Sequence, residues 1–395
     1  MLTNKTVVLG ITGSIAAYKI ANVASRLIKL HADVHVIMTE NACNFINPIT
    51  FETLTGHKCL VDTFDRNFEF NVEHVSLAKK ADIFLVAPAT ANIIGKMANG
   101  IADDMLSTTL LAAKCPVLVA PAMNTNMYTN PVVQNNLCRL DDFGIKVIEP
   151  ATGMLACRDT GAGKLPDEDV LIEHILKEIA YPHDLSKKRI LITAGPTREA
   201  IDPVRFITNH STGKMGYAIA RIAMLRGADV TLISGPVSID PPMFCDIINV
   251  TSAEDMYNAV MANASHSDII IKAAAVADYR PSTVAAEKIK KSDADSCIEL
   301  ERTKDILGEL GKNKKEGQII CGFSMETENL IENSRAKLIK KNADMIAANS
   351  LKQEGAGFGT DTNVLTLITE NSCEELDMMS KEKAAEKLLD KIMTL

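Results

Sequence analysis

Gly10-Ile11-Thr12-Gly13-Ser14-Ile15 sets two glycines and two hydroxyls directly after an apolar run. Glycine permits a tight turn, and a helix opening there offers unpaired N–H groups to an anion. The spacing is not GxGxxG. The next apolar run ends in Met38-Thr39-Glu40-Asn41. A dinucleotide domain would place an acid at that tip to hold a ribose diol. A hydroxyl comes first here, which suits a phosphate; a turn that binds nothing is the alternative. A second set of such residues runs Thr193-Ala194-Gly195-Pro196-Thr197-Arg198-Glu199, then Asn209-His210-Ser211-Thr212-Gly213-Lys214-Met215-Gly216. No Ser or Thr follows Lys214 and no glycine stands five residues before Gly213, so this is not a Walker A loop. It remains a polar, glycine-containing helix start able to hold phosphate. Glu287-Lys288-Ile289-Lys290-Lys291 is basic and follows Ala275–Pro281. It reads either as a phosphate contact or as a solvated face.

Strand-like runs that end at these motifs must position them. Thr6–Gly10, Val34–Met38, Asp82–Ala87 and Val117–Ala120 are short and apolar, and Ala16–Leu30 has helical periodicity. Strands alternating with helices imply a parallel sheet covered on both faces. The landmarks return further on: Ile190–Thr193 runs into Gly195 as Val7–Leu9 runs into Gly10, and Ala228-Asp229-Val230 echoes Ala32-Asp33-Val34. The expected fold is α/β, with two doubly wound, Rossmann-like domains built on parallel sheets. The polar stretch Tyr181–Lys188 separates them, giving domains 1–185 and 186–395. In such sheets ligands sit beyond the carboxyl ends of the strands.

The chain has 395 residues, long enough for two or three domains. Its formal charge of −8 argues against a nucleic-acid partner, which would call for a basic face. With 47% hydrophobic residues the chain is expected to be globular. The longest apolar run, Ile269–Ala277, is broken by Lys272 and is too short for a membrane span. The N-terminus lacks the layout of a signal peptide, so a cytoplasmic location is expected. The nine cysteines are scattered and never form CxxC, which argues against a disulfide framework or a four-cysteine zinc site.

Taken together, GITGSIAAYK (10–19), APATANIIGKMANGIADDMLS (87–107) and PAMNTNMY (121–128) resemble the homo-oligomeric flavin-containing cysteine decarboxylases. ITAGPTREAIDPVRFITNHSTGKMG (192–216), AAAVADYRP (273–281) and KIKK (288–291) resemble a ligase. In this order they resemble the bacterial bifunctional phosphopantothenoylcysteine decarboxylase / phosphopantothenate–cysteine ligases of coenzyme A biosynthesis. The resemblance covers nearly the whole chain. It implies catalytic roles for His74, Asn124 and Cys157 in the first half, and for Asn209, Arg205 and Lys288 in the second. It implies FMN at Gly13, Ser14, Thr39, Ala87, Thr90, Asn92 and Asp103. It implies CTP at Ala274, Ala275, Asp278, Lys288, Lys304, Asp305, Ile306, Leu307, Phe323, Lys337 and Lys341, with Mg²⁺ reached through Asp278. The implied partners are 4′-phosphopantothenate, L-cysteine and CTP, with no nucleic acid and no membrane, in a homo-oligomer that the family builds as a dodecamer with FMN at subunit contacts. The sequence departs from the family pattern at Tyr128, where Trp is usual, and at Arg158 and Lys164, where Gly and Arg are usual.

The chemistry explains the demand for these groups. Loss of CO₂ from an acylated cysteine needs an electron sink, and the blocked nitrogen cannot form an imine. Oxidising the thiol to a thioaldehyde provides that sink, and a flavin can take the hydride and later return it. His74 would act as base or positioning group, Asn124 would hold the carboxylate, and Cys157 would supply a proton. In the ligase, CTP would activate a carboxylate as an acyl-cytidylate, with cations neutralising the triphosphate. Two rivals are a flavin-binding regulatory protein and a nicotinamide-dependent dehydrogenase. Retention of His74 and Cys157 speaks against the first, and the absent GxGxxG against the second.

Overall fold

Runs of β-branched and aliphatic residues closed by glycine or polar residues form the strands of two separate sheets. The computed structural model describes residues 1–63, 73–154, 160–290, 297–326, 329–350 and 359–395. They divide into two units, Met1–Pro182 and His183–Leu395.

In the first unit β1 (Thr6–Ile11) leads through a 3₁₀ turn, Ile15–Lys19, into α1 (Ile20–Lys29) and β2 (Asp33–Met38). Then come α2 (Pro48–Thr55), α3 (Glu73–Lys80), β3 (Ile83–Ala89), α4 (Ala91–Asn99), α5 (Met105–Ala112) and β4 (Val117–Pro121). The short α6 (Thr125–Tyr128) precedes α7 (Pro131–Asp142) and β5 (Lys146–Val147). A hairpin of β6 (Ala151–Met154) and β7 (Thr160–Lys164) leads to α8 (Glu168–Ile179). The main sheet is parallel, in the order β2-β1-β3-β4-β5. The helix expected over Ala16–Leu30 is split. The Ser14 hydroxyl accepts the Ala16 N–H, and the chain opens as a 3₁₀ turn, a frequent form of helix start. α1 then buries Ile20, Val23, Ala24 and Leu27, one helical face, against the sheet.

The second unit starts with β8 (Arg189–Ala194), followed by a ribbon of β9 (Glu199–Ala200) and β10 (Phe206–Ile207). Next are α9 (Lys214–Leu225), β11 (Asp229–Ser234), β12 (Asp246–Asn249), α10 (Ala253–Ala264) and β13 (Ile269–Lys272). A second ribbon pairs β14 (Tyr279–Pro281) with β15 (Leu300–Arg302). It leads to α11 (Ile306–Lys312), β16 (Ile319–Glu326), α12 (Leu330–Lys340) and β17 (Met345–Ser350). The chain closes with β18 (Thr362–Asn363), β19 (Leu365–Thr369), β20 (Cys373–Glu375), β21 (Met379–Ser380) and α13 (Lys381–Ile392). The large sheet runs β12-β11-β8-β13-β16-β17-β19-β20. It is parallel as far as β17, whereas β19 and β20 add to it antiparallel, so the fold is mixed rather than wholly parallel. A short turn joins β19 to β20, which an antiparallel pair allows, whereas a parallel pair needs a crossover.

The echo between the halves has a topological counterpart. The order β2-β1-β3-β4 in one sheet matches β11-β8-β13-β16 in the other. In each, the chain reverses its winding between the first strand and its neighbour, which opens a crevice at the carboxyl ends. No described cysteine is bonded to another, and no helix among the described residues is long and apolar enough to cross a membrane.

One charged tie closes the second unit. Arg226, its side chain 7% exposed, donates from Nε to Asp184 at 3.0 Å and from Nη1 to Asp390 at 2.7 Å. The guanidinium bonds hold the Asp184 carboxyl below its usual pKa. Its contribution is therefore full above the ordinary carboxylate range and is lost as pH falls beneath it. Arg226→Met should destabilise this unit by about 1–3 kcal/mol, less than for a fully buried pair because both acids are half-exposed. Hydrogen exchange at neutral pH should show α13 amides opening faster in the variant; unchanged protection would refute the tie.

Candidate functional site

In the first unit the crevice lies between β1 and β3. The Thr12 hydroxyl donates to the Pro88 carbonyl at 2.6 Å and accepts the Thr90 N–H at 3.1 Å, stitching the two strand tips together. Gly13 passes so close to the chain that a Cβ on it would lie 2.7 Å from the Asn41 Cβ. The Thr39 hydroxyl oxygen is buried and has no hydrogen-bond partner. A glycine turn with the hydroxyls of Ser14, Thr39 and Thr90 at one sheet edge fits a phosphorylated flavin, whose oxygens would give Thr39 the partner that the protein does not. Ala87 is buried in β3, and Asn92 is exposed in the first turn of α4. Asp103 pairs with Lys96 at 2.6 Å, and Lys96 also binds Asp104 at 2.7 Å. Lys96 lies within a motif quoted for the resemblance, yet nothing in its local spacing marks it as the group that holds both acids.

Asn124 caps α6 by accepting the Asn126 N–H at 2.8 Å, and it lines a cleft of about 600 Å³ with Ser14, Tyr18, Lys19, Met154 and Lys164. The β6–β7 hairpin seals one side. The Met123 N–H donates to the Gly163 carbonyl at 2.9 Å. Gly163 has a φ of 126°, and a Cβ there would meet the Met123 carbonyl oxygen at 2.3 Å, so this approach requires glycine. Residues 155–159, which join the two strands and include Cys157 and Arg158, lie outside the described residues. His74 is half-buried in the first turn of α3 and is not among the residues lining the cleft.

The second unit repeats the stitching. The Thr193 hydroxyl accepts the Ala274 N–H and the Thr197 hydroxyl the Ala277 N–H, each at 3.1 Å. The Asn209 amide donates to the Ala275 carbonyl at 2.6 Å and accepts the Ser211 N–H at 2.9 Å, fixing the turn that leads into α9. Beside it is a pocket of about 290 Å³ that gathers Ala274, Ala275, Asp278, Phe323 and Lys337. Lys304, Asp305 and Lys341 line a different pocket. There Lys304 pairs with Glu254 at 2.6 Å and lies over the Tyr257 ring, while Lys341 binds Asp305. Burial, the largest single influence, would raise the Asp305 pKa, but the Lys341 bond and charge, the Gly308 N–H and the Lys272 charge together outweigh it, and the carboxyl is lowered. Ile306 and Leu307 turn into the core, leaving only their backbone available. Lys288 is exposed and lines neither pocket.

Lys272, Asn349 and Lys381 are among the lining residues that were not singled out from the sequence as ligand contacts. Lys272 ends β13, and its pKa is lowered to about 8 by desolvation and by the Lys337 ammonium, against the pull of Asp278 and Asp305. The signal was present as the one charge interrupting Ile269–Ala277. The Asn349 side-chain oxygen is buried without a hydrogen-bond partner, ready for a donor on a ligand.

Arg205 reaches the site indirectly. Its Nε donates to Asp202 at 2.9 Å, and its Nη2 donates to both Asp202 and the Ile289 carbonyl, the latter at 2.7 Å. Asp202, its side chain fully buried, also accepts the Val204, Arg205 and Ile289 N–H groups. The Arg205 bonds, foremost, depress its pKa and keep it ionised. Thus Asp202 and Arg205 clasp Ile289 from both sides and hold the segment that carries Lys288. Asp202→Asn should free this segment, and trypsin should cut after Lys288 and Lys290 at least several-fold faster. Equal cleavage rates would refute the clasp.

Comparison with known proteins bears on both units. The family described as "Flavoprotein" matches residues 1–180, and the "DNA/pantothenate metabolism flavoprotein C-terminal domain" matches residues 185–395. The coenzyme A biosynthesis bifunctional protein CoaBC of Bacillus subtilis is 49% identical over 100% of this chain and 98% of its own length. That of Vibrio vulnificus is 44% identical, with the same coverage. A crystal structure of a CoaBC C-terminal domain is 45% identical, covers 53% of this chain and 95% of its own, and superposes with a TM-score of 0.45. With family matches over both units and relatives of this identity along its full length, the chain belongs to the CoaBC family of bifunctional coenzyme A biosynthesis enzymes, which unite phosphopantothenate–cysteine ligase and phosphopantothenoylcysteine decarboxylase activities.

Proposed function

We propose that the second unit uses CTP to activate the carboxylate of 4′-phosphopantothenate, and that the first unit uses FMN to decarboxylate the cysteine adduct to 4′-phosphopantetheine. The observation that carries the nucleotide assignment is charge. Lys214, Lys272, Lys337 and Lys381 surround one pocket, against the single carboxylate of Asp278 among the described lining residues. Such a pocket favours a polyanion. The substrate carboxylate attacks the α-phosphorus, pyrophosphate leaves, and the cysteine amine then displaces CMP. Asp278 would hold Mg²⁺ on the triphosphate, Asn209 would present the acyl-cytidylate, and Lys288 on its clasped segment would neutralise phosphate charge. Lys304, Asp305 and Lys341 would take a second part of the same nucleotide.

In the first unit the flavin, when bound, supplies reversible hydride acceptance. Ser14, Thr39 and Thr90 would bind its polar groups, Asn124 would orient the substrate carboxylate, and Cys157 would deliver a proton. Ile15, Tyr18 and Met154 are exposed large side chains on the rim of the cleft. A neighbouring copy that covered them would bring in His74 and place FMN at a subunit contact, in keeping with the cytoplasmic dodecamer that the family resemblance implies.

Two measurements test these assignments. Cys157→Ser should retain flavin yet stall after CO₂ release, leaving an oxidised enethiol product seen by mass analysis; normal turnover would remove Cys157 from the mechanism. For the nucleotide, Lys272, its pKa lowered to about 8 by burial, loses its charge as pH rises through that value. A bound polyanion favours its charged form, so above that pH CTP binding should take up a proton and weaken as pH rises. Calorimetry in buffers of different ionisation enthalpy reads the uptake, which Lys272→Met should abolish. Proton uptake that survives in Lys272→Met would exclude this lysine.

A further inference from the structure

At the opposite end of the first sheet from the flavin crevice, three side chains that neither reaction uses converge. Asp33 and His35 stand at alternate positions of β2 and so share one face of it. His57 comes from the segment after α2, where Gly56, with φ 72°, ends the helix and the Thr55 hydroxyl accepts the His57 N–H at 3.2 Å. Three residues on, Leu60 accepts the Met38 N–H and donates to Val36, at 2.9 and 3.0 Å, so this segment runs fixed along the sheet edge. Its placement sets His57 Nε2 2.7 Å from one Asp33 carboxylate oxygen, while His35 Nε2 lies 3.2 Å from the other. The two imidazoles stack with centroids 4.1 Å apart.

A cation already sits among them. The Lys80 ammonium, at the end of α3, is 2.7 Å from Asp33 and 3.1 Å from His35 Nε2. Lysine has no acceptor and the Asp33 carboxylate no donor, so His35 Nε2 can hydrogen-bond only one of them at a time; in the tautomer protonated at Nδ1 it accepts from Lys80 and presents its lone pair. That is the form in which imidazole binds a metal through Nε2. The three ligand atoms lie within 4.8 Å of one another. Zinc bonds of ~2.0–2.2 Å in a tetrahedron set ligand separations of about 3.3 Å, and to reach it the two rings must turn out of their stack so that both Nε2 lone pairs point at one centre. Two imidazoles and a carboxylate are a donor set for borderline dications of the zinc class, not for magnesium or calcium, which prefer all-oxygen shells. Lys80 is half-exposed and can swing into solvent.

We propose that Asp33, His35 and His57 form a site for one divalent transition-metal ion of the zinc class, bound through both Nε2 atoms and the carboxylate, with Lys80 displaced and a fourth position left to water. The ion would pin the sheet edge to the segment after α2 and release the end of α3.

The test titrates the purified full-length chain with Co²⁺, whose visible absorption reports coordination, with Zn²⁺ as competitor. The wild type should bind one Co²⁺ per chain with a tetrahedral d–d band and without the near-ultraviolet thiolate band that cysteine ligation would produce. His57→Gln and Asp33→Asn, checked for folding by circular dichroism, should each weaken binding about tenfold or more. Lys80→Ala should tighten it about two- to fivefold, because a competing ammonium is gone. A thiolate band, binding unaffected by His57→Gln, or no tightening in Lys80→Ala would each overturn the site.

Discussion

A parallel sheet separates its strand tips exactly where a ligand must be held, and both units meet that difficulty with a threonine hydroxyl. Thr12 ties the end of β1 to Pro88 and Thr90 beyond β3. Thr193 and Thr197 tie the end of β8 to Ala274 and Ala277 beyond β13. In each case the hydroxyl satisfies a backbone group of the neighbouring strand that the ladder has left behind. Everything else at the sites hangs from these tips: the Gly13 turn against Asn41, the Asn209 turn into α9, and the backbone of Ala274 and Ala275. Replacing either ladder end would splay the crevice before it altered any group that contacts substrate.

The two sites differ in how they handle charge. The cleft of the first unit is largely apolar, with Lys19 and Lys164 at its wall, and suits a reaction in which electrons move within a small organic substrate. The pocket of the second unit concentrates cations, and its burial lowers the Lys272 pKa to about 8. A desolvated ammonium is costly when alone and strongly attractive to a phosphate, so a phosphate entering this pocket would relieve an unfavourable burial. The exposed Lys288 avoids that cost. Its segment is instead ordered from behind by Asp202 and Arg205, which leaves the lysine itself free to meet a ligand.

Features carried by local residue type were legible in the sequence. Glycines and hydroxyls at strand ends marked both crevices, the echo between halves foretold the shared strand order, and the motif resemblance identified the family. Features carried by long-range geometry were not. Ile289 meets Asp202 across 87 residues of chain, and nothing near either residue announces the contact. The antiparallel β19 is buried along its whole length, as a parallel strand is, so its residues do not announce its direction. Lys272 was visible only as a flaw in an apolar run, because its meaning depends on Lys337 arriving from α12 and Asp278 from the loop before β14. The division of the expected nucleotide residues between two pockets likewise depends on where α11 and α12 pack.

The Arg226 tie also orders events in time. It joins Asp184, at the start of the second unit, to Asp390, near the end of α13, whose Leu388, Leu389 and Ile392 are buried. On a growing chain the first unit has all its strands once residue 182 has left the ribosome, whereas the second lacks a wall of its core until the last helix emerges. The order of synthesis therefore favours a finished decarboxylase fold before the ligase fold can close.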